Sequence, residues 1–221
     1  MRRITDTELV RNYCENHLGD IFDINFASEK IFPDIPHVNL RKIVSRLAES
    51  GLLRTISKGV YIIGKSELSD EEIVIKHYLV NDYGSQCGIA SGEFLLYKEG
   101  FCSKEPLIKQ IKTNNTKGNK NIGNVQIIET QSLFGFPHSG LVELMELIDA
   151  GLSCRIDDKD KYSARIQELL KQYTDDGFRS MVRELYSPRV YYELENYLNS
   201  MQISHRVKEI YAIQFGLYSK K

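Results

Sequence analysis

The sequence predicts an α+β protein with three regions, which we place at residues 1–64, 65–140 and 141–221. An amphipathic helical pattern, followed by two apolar runs around a Lys-Gly turn, predicts a helical first region that closes with a hairpin. Glycine-rich turns alternate with strand-like runs in the second region, which indicates a mixed α/β structure. Apolar residues recur at helical spacing in the third region, which holds most of the 13 tyrosines.

The composition is that of a folded protein without a strong charge bias. Of the 221 residues, 42% are apolar and 27% are charged, which excludes disordered and low-complexity classes. Twenty-nine Lys and Arg residues against 30 Asp and Glu residues give a net charge of −1. That sum argues against a strongly basic nucleic-acid binder, although it can conceal a local basic stretch.

Membrane and secretory classes are not expected either. The apolar runs are far shorter than the roughly 20 residues that cross a bilayer, and no long apolar stretch follows Arg2 and Arg3 as in a signal peptide. The four cysteines are scattered, without the spacing of a disulfide framework or a zinc site. We therefore expect a reduced, cytoplasmic protein that has no membrane partner.

Two short helices are expected before residue 36. Thr5 or Asp6 can cap the first, since both side chains accept hydrogen bonds from the free N–H groups of a helix start. Its apolar residues expected to face inward are Leu9, Tyr13 and Leu18. After a short extended piece, residues 27–32 can form the second helix, which Pro33 stops.

A third helix and a hairpin complete the first region. The helix follows Pro36, ends at Gly51 and has an apolar stripe at Leu40, Ile43, Val44 and Leu47. Its opposite, solvent-facing arc holds Arg41, Lys42, Ser45 and Arg46. Residues 52–57 and 60–63 then read as two strands joined by a turn at Lys58-Gly59.

Three short helices followed by a two-stranded hairpin are the layout of a winged helix-turn-helix. A basic amphipathic helix fits the major groove of DNA, and a hairpin with a lysine at its tip can lie along the phosphates. Residues 37–58 contain five basic residues and one acidic residue, a net charge of +4. The DNA-binding candidates are Asn39, Arg41, Lys42, Ser45 and Arg46 on the helix, with Arg54 and Lys58 on the wing. The alternatives are a helix face that is merely solvated and a winged helix that binds protein.

Residues 38–61 resemble the N-terminal winged helix of AbiEi-like antitoxins. In that family the helix ends in an L-x-x-L motif, and a G-L/I-L/I-x-R motif leads from it into a strand. A G-x-Y motif then begins the second strand of the hairpin. Here Val44 and Leu47 stand at the first step, and Gly59 begins the Gly-Val-Tyr return. Gly51 begins the Gly-Leu-Leu step, but Arg54 follows one residue earlier than in the family pattern.

The resemblance extends to about residue 135. Residues 89–101 are similar to the family's helix after the wing, where a small-residue start leads to a leucine-rich turn and a glycine. Residues 112–120, polar and basic, resemble the tip between two of its strands. The helical tail from Leu141 onward matches no motif.

This resemblance implies the antitoxin of a type IV toxin–antitoxin system. Such a protein binds inverted repeats of double-stranded DNA in its own promoter and represses the operon, with a homodimer on DNA as one arrangement. It counters a nucleotidyltransferase-like toxin without forming a stable complex. The N-terminal domain would bind DNA, and the remainder would be needed for antitoxicity. The alternative function is a winged-helix transcriptional regulator or interaction module that is not linked to a toxin.

The second region carries all its positive charge as lysine. Residues 104–120 contain five lysines and one glutamate, again a net charge of +4. Since lysine suits non-specific phosphate attraction better than base reading, a secondary nucleic-acid contact is a hypothesis for this region. Its candidate residues are Lys112, Lys117 and Lys120. The alternative is a solvated hairpin tip, in which Asn and Gly serve the turn.

The third region is expected to be a helical bundle for partner contact or dimerisation. One face comprises Ile166, Leu169, Leu170 and Tyr173. A second comprises Phe178, Met181, Val182 and Leu185. A third, in a helix opened by Ser187-Pro188, comprises Val190, Leu194, Tyr197, Leu198 and Met201.

No residue pattern indicates an enzyme, a metal site or a bound cofactor. Residues 84–88 have serine in the wrong place for a nucleophile elbow, and residues 118–123 lack the lysine of a phosphate-binding loop. Residues 157–160 cluster carboxylates without the glycine and distal glutamate of a calcium loop, and we expect them to cap a helix. The five histidines have no ligand spacing to any cysteine.

Overall fold

The computed structural model describes residues 5–81, 84–135, 138–181 and 186–214, which form a mixed α/β structure with helices at both ends. The helices are α1 (Asp6–Asn16), α2 (Ile24–Phe26), α3 (His37–Glu49), α4 (Asp70–Leu79), α5 (Gly92–Lys98), α6 (Ser139–Ser153), α7 (Lys159–Leu170), α8 (Asp175–Met181), α9 (Pro188–Ser200) and α10 (Val207–Gln214), with a π-helical segment at Ala27–Ile31. The strands are β1 (Ile21–Asp23), β2 (Leu53–Ser57), β3 (Val60–Ile63), β4 (Gly88–Ser91), β5 (Lys109–Thr113), β6 (Lys120–Ile122) and β7 (Val125–Glu129).

The α1 helix begins at the predicted cap. The Glu8 backbone N–H donates to the Thr5 hydroxyl at 3.2 Å, and the Thr5 backbone N–H donates to the Glu8 carboxylate at 2.8 Å. Together these two bonds make a capping box, which satisfies N–H groups that the helix itself leaves free.

The predicted inward face of α1 is wrong for Leu9 and Leu18 and is confirmed in part for Tyr13, which packs against the N-terminal core. Val10 and Cys14 are buried in the N-terminal core, whereas Leu9 and Leu18 are 47% and 61% exposed and Tyr13 is half-buried. Leu9 and Tyr13 have the same i, i+4 spacing as Val10 and Cys14, so periodicity alone does not choose between these two pairs, and Leu18 lies beyond the end of α1. The choice is made by packing, because Val10 and Cys14 share a core with the buried face of α3.

The stripe predicted for α3 is confirmed. Its buried residues are Leu40, Ile43, Val44 and Leu47. The helix ends in a Schellman motif, in which the Gly51 N–H donates to the Ala48 carbonyl and the Leu52 N–H donates to the Leu47 carbonyl, both at 3.0 Å. Gly51 has a φ of +80°, a left-handed conformation that only glycine adopts without strain.

The hairpin also lies where the sequence predicts it. Strands β2 and β3 pair antiparallel around Lys58 and Gly59, and β1 adds a third strand on the other side of β3. Gly59 has a φ of +79°, and its carbonyl accepts from the Ile24 N–H at 2.9 Å. The turn is therefore tied to the start of α2.

This three-stranded sheet packs on both faces. Because side chains alternate along a strand, Phe22 faces the N-terminal core with α1 and α3, whereas its neighbour Ile21 belongs to the larger core of the second region. Ile62 and Ile63 are divided in the same way. Residues 5–64, which we call the N-terminal unit, therefore pack against the rest of the chain through the apolar side chains on one face of this sheet.

The second sheet has the strand order β4-β5-β7-β6. Its central pair, β5 and β7, is parallel, and the two outer pairings are antiparallel. Helices contact both faces of β5, since Lys109 reaches Glu71 of α4 and Lys112 reaches Glu146 of α6. Lys109 and Lys112 are three positions apart on the strand, so their side chains point to opposite faces of the sheet.

The second and third regions share one hydrophobic core. The cluster runs from Ile21 of β1 through Ile111 of β5 to Ile210 of α10, so no break in packing lies at residue 140. Among the described residues, no helix is both long and apolar enough to cross a membrane.

The helical faces predicted for the third region are confirmed where they are described. The first face, comprising Ile166, Leu169, Leu170 and Tyr173, is buried. In the second face Phe178 is buried, whereas Val182, Leu185 and the side chain of Met181 lie outside the described residues. In the third face Val190, Leu194 and Leu198 are buried, and Tyr197 and Met201 are half-buried. Pro188 opens α9 as predicted, and Asp158 caps α7.

Candidate nucleic-acid interface

The outer face of α3 presents all five polar residues that the sequence singles out. The exposed set is Asn39, Arg41, Lys42, Ser45 and Arg46. At 100° per residue, Lys42 and Ser45 lie near the centre of the face, together with Val38, which is 63% exposed. Arg41 lies on one flank, and Arg46 lies on the other.

The cations of this face are not neutralised by neighbouring carboxylates. Within the described part of the chain, Arg41, Lys42 and Arg46 form no ion pair. The nearby carboxylate of Glu49 accepts from the Ser45 hydroxyl at 3.3 Å. The three cations of the face are therefore exposed to solvent without an ion-pair partner among the described residues, although Glu49 lies on the same face and lowers its net charge.

A depression of about 490 Å³ lies between this face and the start of α1. It is lined by Thr5, Asp6, Thr7, Asn39, Lys42, Ile43 and Arg46. Sequence reasoning did not place α1 beside the basic face, since nothing in the local pattern of residues 5–7 indicates that contact. Two cations, Lys42 and Arg46, line this depression on the α3 side, and Asp6 lines it on the α1 side.

Lys58 is exposed at the tip of the hairpin, as predicted. It forms no ion pair with any residue in the described ranges. The turn that carries it is fixed by Gly59 and by the hydrogen bond of Gly59 to Ile24, so the lysine extends from an ordered backbone.

Arg54, the second residue predicted on the wing, is held by an acidic neighbour. Its guanidinium donates to both carboxylate oxygens of Asp70 at the start of α4, at 2.8 Å and 2.5 Å. These hydrogen bonds lower the pKa of Asp70 and offset the charge of Arg54. The hairpin therefore offers less free positive charge than its sequence indicates.

The three lysines proposed for a secondary contact form ion pairs inside the protein. Lys112 donates to Glu146 at 2.7 Å, Lys120 donates to Asp23, and Lys117 donates to Glu29. Lys112 and Lys120 are mostly buried, and their carboxylate partners are only 1% exposed. The local charge of +4 is therefore compensated by carboxylates from distant parts of the chain, so the region is not a free basic surface, although Lys117 and Asn119 at the tip are exposed.

Asp23 is the residue of this region that sequence reasoning missed. It caps α2 by accepting from the backbone N–H groups of Asn25 and Phe26, and it also accepts from the Tyr78 hydroxyl at 3.3 Å. An Asp before a helix indicates a cap, but its partners on α4 and β6 are 55 and 97 residues away. No local signal identifies such partners.

Glu146 of α6 is a second buried carboxylate, and within the part of the chain that the structure describes its hydrogen-bond donors are side chains, without the backbone N–H groups that bind Asp23. Lys112 and the Tyr186 hydroxyl both donate to one of its oxygens, the latter at 2.5 Å. Burial raises the pKa of Glu146, and the charge and hydrogen bonds of its neighbours only partly oppose that shift. Among the residues described, no group of three or more His, Cys, Asp or Glu is arranged to hold a metal ion.

Comparisons with known proteins identify no family. No protein-family model matches the chain, and no curated protein matches it. Among solved structures, the chain is similar to the crystal structure of the RV2827C protein from Mycobacterium tuberculosis, with a TM-score of 0.37. The two chains are 12% identical, and the match covers 88% of this chain and 78% of that one. A similarity this distant carries no argument about function.

Proposed function

We propose that residues 5–64 form a winged helix-turn-helix and that the protein binds double-stranded DNA through α3 and the β2–β3 hairpin. The supporting observation is the division of α3 into a fully buried apolar face and an exposed polar face whose three cations have no ion-pair partner among the described residues. A helix of this kind fits the major groove, and Lys58 at the hairpin tip can neutralise a phosphate.

The positions on the helix assign different roles to its residues. Lys42, Ser45 and Val38 lie near the centre of the exposed face, so they would meet base edges, where an apolar side chain can contact a thymine methyl group. Arg41 and Arg46 lie on opposite flanks, so they would contact phosphates on the two walls of the groove. Asn39, on the same flank as Arg46 and two helical turns before it, can bind either a base edge or a phosphate.

We propose further that the protein is a type IV antitoxin that represses its own promoter. It would bind operator inverted repeats as a homodimer and counter a nucleotidyltransferase-like toxin without a stable complex. The support for this finer assignment is the sequence resemblance of residues 38–61 and 89–101 to AbiEi-like antitoxins.

The DNA proposal is tested by fluorescence anisotropy with a duplex of the region upstream of the gene. Replacing Arg41 and Lys42 together by Ala is expected to weaken binding about tenfold or more at fixed salt. The matched control replaces two exposed lysines by Ala, namely Lys171, which directly follows α7, and Lys208 of α10. Equal affinity of the first variant and the wild type, with an unchanged circular dichroism spectrum, would refute the assignment of α3.

The antitoxin proposal needs a separate test. The chain is co-expressed with the product of the adjacent reading frame, and the antitoxin role predicts that growth is rescued from a nucleotidyltransferase-like toxin. If no such frame is adjacent, or if growth is not rescued while DNA binding is intact, the protein is a regulator that is not linked to a toxin. If it binds no DNA at all, the interaction-module alternative takes its place.

A further inference from the structure

Two of the four thiols face one cleft on the side of the molecule formed by the second and third regions. The cleft has a volume of about 860 Å³ and lies between the loop after α5 and the C-terminal end of α6. Cys102 lies in that loop, and Cys154 ends the helix. Both side chains are partly exposed, whereas Cys14 and Cys87 are 0% and 4% exposed. Reagents in solution therefore reach only the pair in the cleft.

Hydrogen bonds hold the two segments side by side. The Phe101 carbonyl accepts from the backbone N–H groups of Asp157 and Asp158, at 2.9 Å and 3.1 Å. The Cys102 thiol itself donates to the carbonyl of Arg155 at 2.7 Å. Arg155 is the residue that directly follows Cys154. The hydrogen bond therefore holds the sulfur of Cys102 against the backbone next to the second cysteine.

We propose that Cys102 and Cys154 are a modification site, at which a peroxide converts the two thiols into an intramolecular disulfide. One thiolate attacks the peroxide and forms a sulfenic acid, and the O–O bond breaks to release hydroxide or an alkoxide, which takes a proton from solvent to become water or an alcohol. The second thiol then attacks that sulfur, and the hydroxyl leaves as water. The two sulfurs lose two electrons in total, and the O–O bond gains them. This site does not depend on the proposed DNA binding.

The surroundings of the pair make the reaction slow at neutral pH. Burial raises the pKa of both thiols, and the Glu93 carboxylate raises both further. The other charged groups that line the cleft are Lys104, Glu105, Asp149, Arg155 and Asp157. Because the thiolate is the nucleophile, oxidation should be faster at pH 9 than at pH 7.

The test oxidises the full-length protein with hydrogen peroxide, blocks the remaining thiols with a maleimide in denaturant and analyses a tryptic digest. The proposal predicts that two of the four thiols disappear and that peptide 99–104 is joined to peptide 121–155. It also predicts that the thermal midpoint rises and that dithiothreitol reverses this rise, because a cross-link restricts the unfolded chain.

Serine variants decide whether the linkage is specific. Cys102→Ser and Cys154→Ser should each abolish the linked peptides, whereas Cys87→Ser should leave them unchanged. Circular dichroism melting of the reduced variants checks that each one folds. Separate sulfinic acids at Cys102 and Cys154 without a link, linkage only between molecules, or four thiols that survive peroxide at pH 9 would each overturn the proposal.

Discussion

The ammonium of Lys120 on β6 donates a hydrogen bond to the carboxylate of Asp23, which caps α2 in the N-terminal unit. The two residues are 97 positions apart. The side chain of Asp23 is only 1% exposed, and its carboxylate accepts from this cation, from the Tyr78 hydroxyl and from two backbone N–H groups. This ion pair joins the proposed DNA-binding unit to the second sheet.

Lys120→Ala is expected to lower the free energy of unfolding by about 3 kcal/mol, because it leaves a buried carboxylate without its cation. Urea denaturation followed by circular dichroism measures the change. Lys117→Ala is the matched control, since Lys117 pairs with Glu29 where the side chains are 56% and 45% exposed. The control should cost less than about 1 kcal/mol. Similar losses in the two variants would contradict the role assigned to Asp23.

Gly59→Ala is expected to destabilise the protein more than Gly51→Ala does. Both glycines have a φ near +80°, so an added Cβ costs about 1 kcal/mol at either position. At Gly59 the new Cβ would also lie 3.1 Å from a methyl carbon of Ile24, whereas at Gly51 nothing lies within 4 Å. Thermal melts of the two variants isolate this contact, and a larger loss for Gly51→Ala would contradict the geometry of the hairpin turn.

Glu146→Gln should change how stability depends on pH. The pKa of Glu146 is raised above 4.5 in the folded protein. Between pH 4.5 and that raised pKa, the folded state therefore holds a proton that the unfolded state has lost. Since the folded state binds more protons, the free energy of unfolding falls as pH rises through this interval. Glutamine does not titrate, so the stability of the variant relative to the wild type should increase across that interval. Parallel stability curves from pH 4 to pH 8 would mean that burial does not raise the pKa of Glu146 in the folded protein.

Arg46→Ala and Lys117→Ala should differ in the salt dependence of DNA binding. If Arg46 contacts a phosphate, its loss reduces the slope of log affinity against log salt concentration by about 1. Lys117, held by Glu29, should leave the slope unchanged. Titrations at several salt concentrations give both slopes. A reduced slope for Lys117→Ala would restore the hypothesis of a secondary contact in the lysine-rich segment.

The parts of the fold that the sequence predicts are those set by neighbours along the chain. The α3 stripe around Leu40 and Val44 repeats within one helix, and the hairpin is marked by Lys58-Gly59 between two apolar runs. Each of these signals lies within a few residues, where backbone geometry alone connects pattern to structure.

The parts that it does not predict depend on partners far along the chain. Residues 104–120 do carry a net charge of +4, but the sequence does not show which carboxylates pair with their lysines. Lys112 pairs with Glu146, which lies 34 residues later, and Lys117 pairs with Glu29, which lies 88 residues earlier. Arg54 is paired with Asp70 for the same reason. On α1 the error was one of helical phase, because Leu9 and Val10 are adjacent and only the packed partner shows which one faces inward.

The separation of Lys120 from Asp23 along the chain has a consequence for the order of folding. Strands β5 and β7 pair residues 16 positions apart, and β6 pairs with β7 across a tight turn, so the second sheet can form at a small cost in loop-closure entropy. The Lys120–Asp23 pair closes a loop of 97 residues and should therefore form after the folding transition state. A variant at Lys120 would then unfold faster while folding at nearly the wild-type rate, so the ion pair acts mainly to keep the N-terminal unit from detaching.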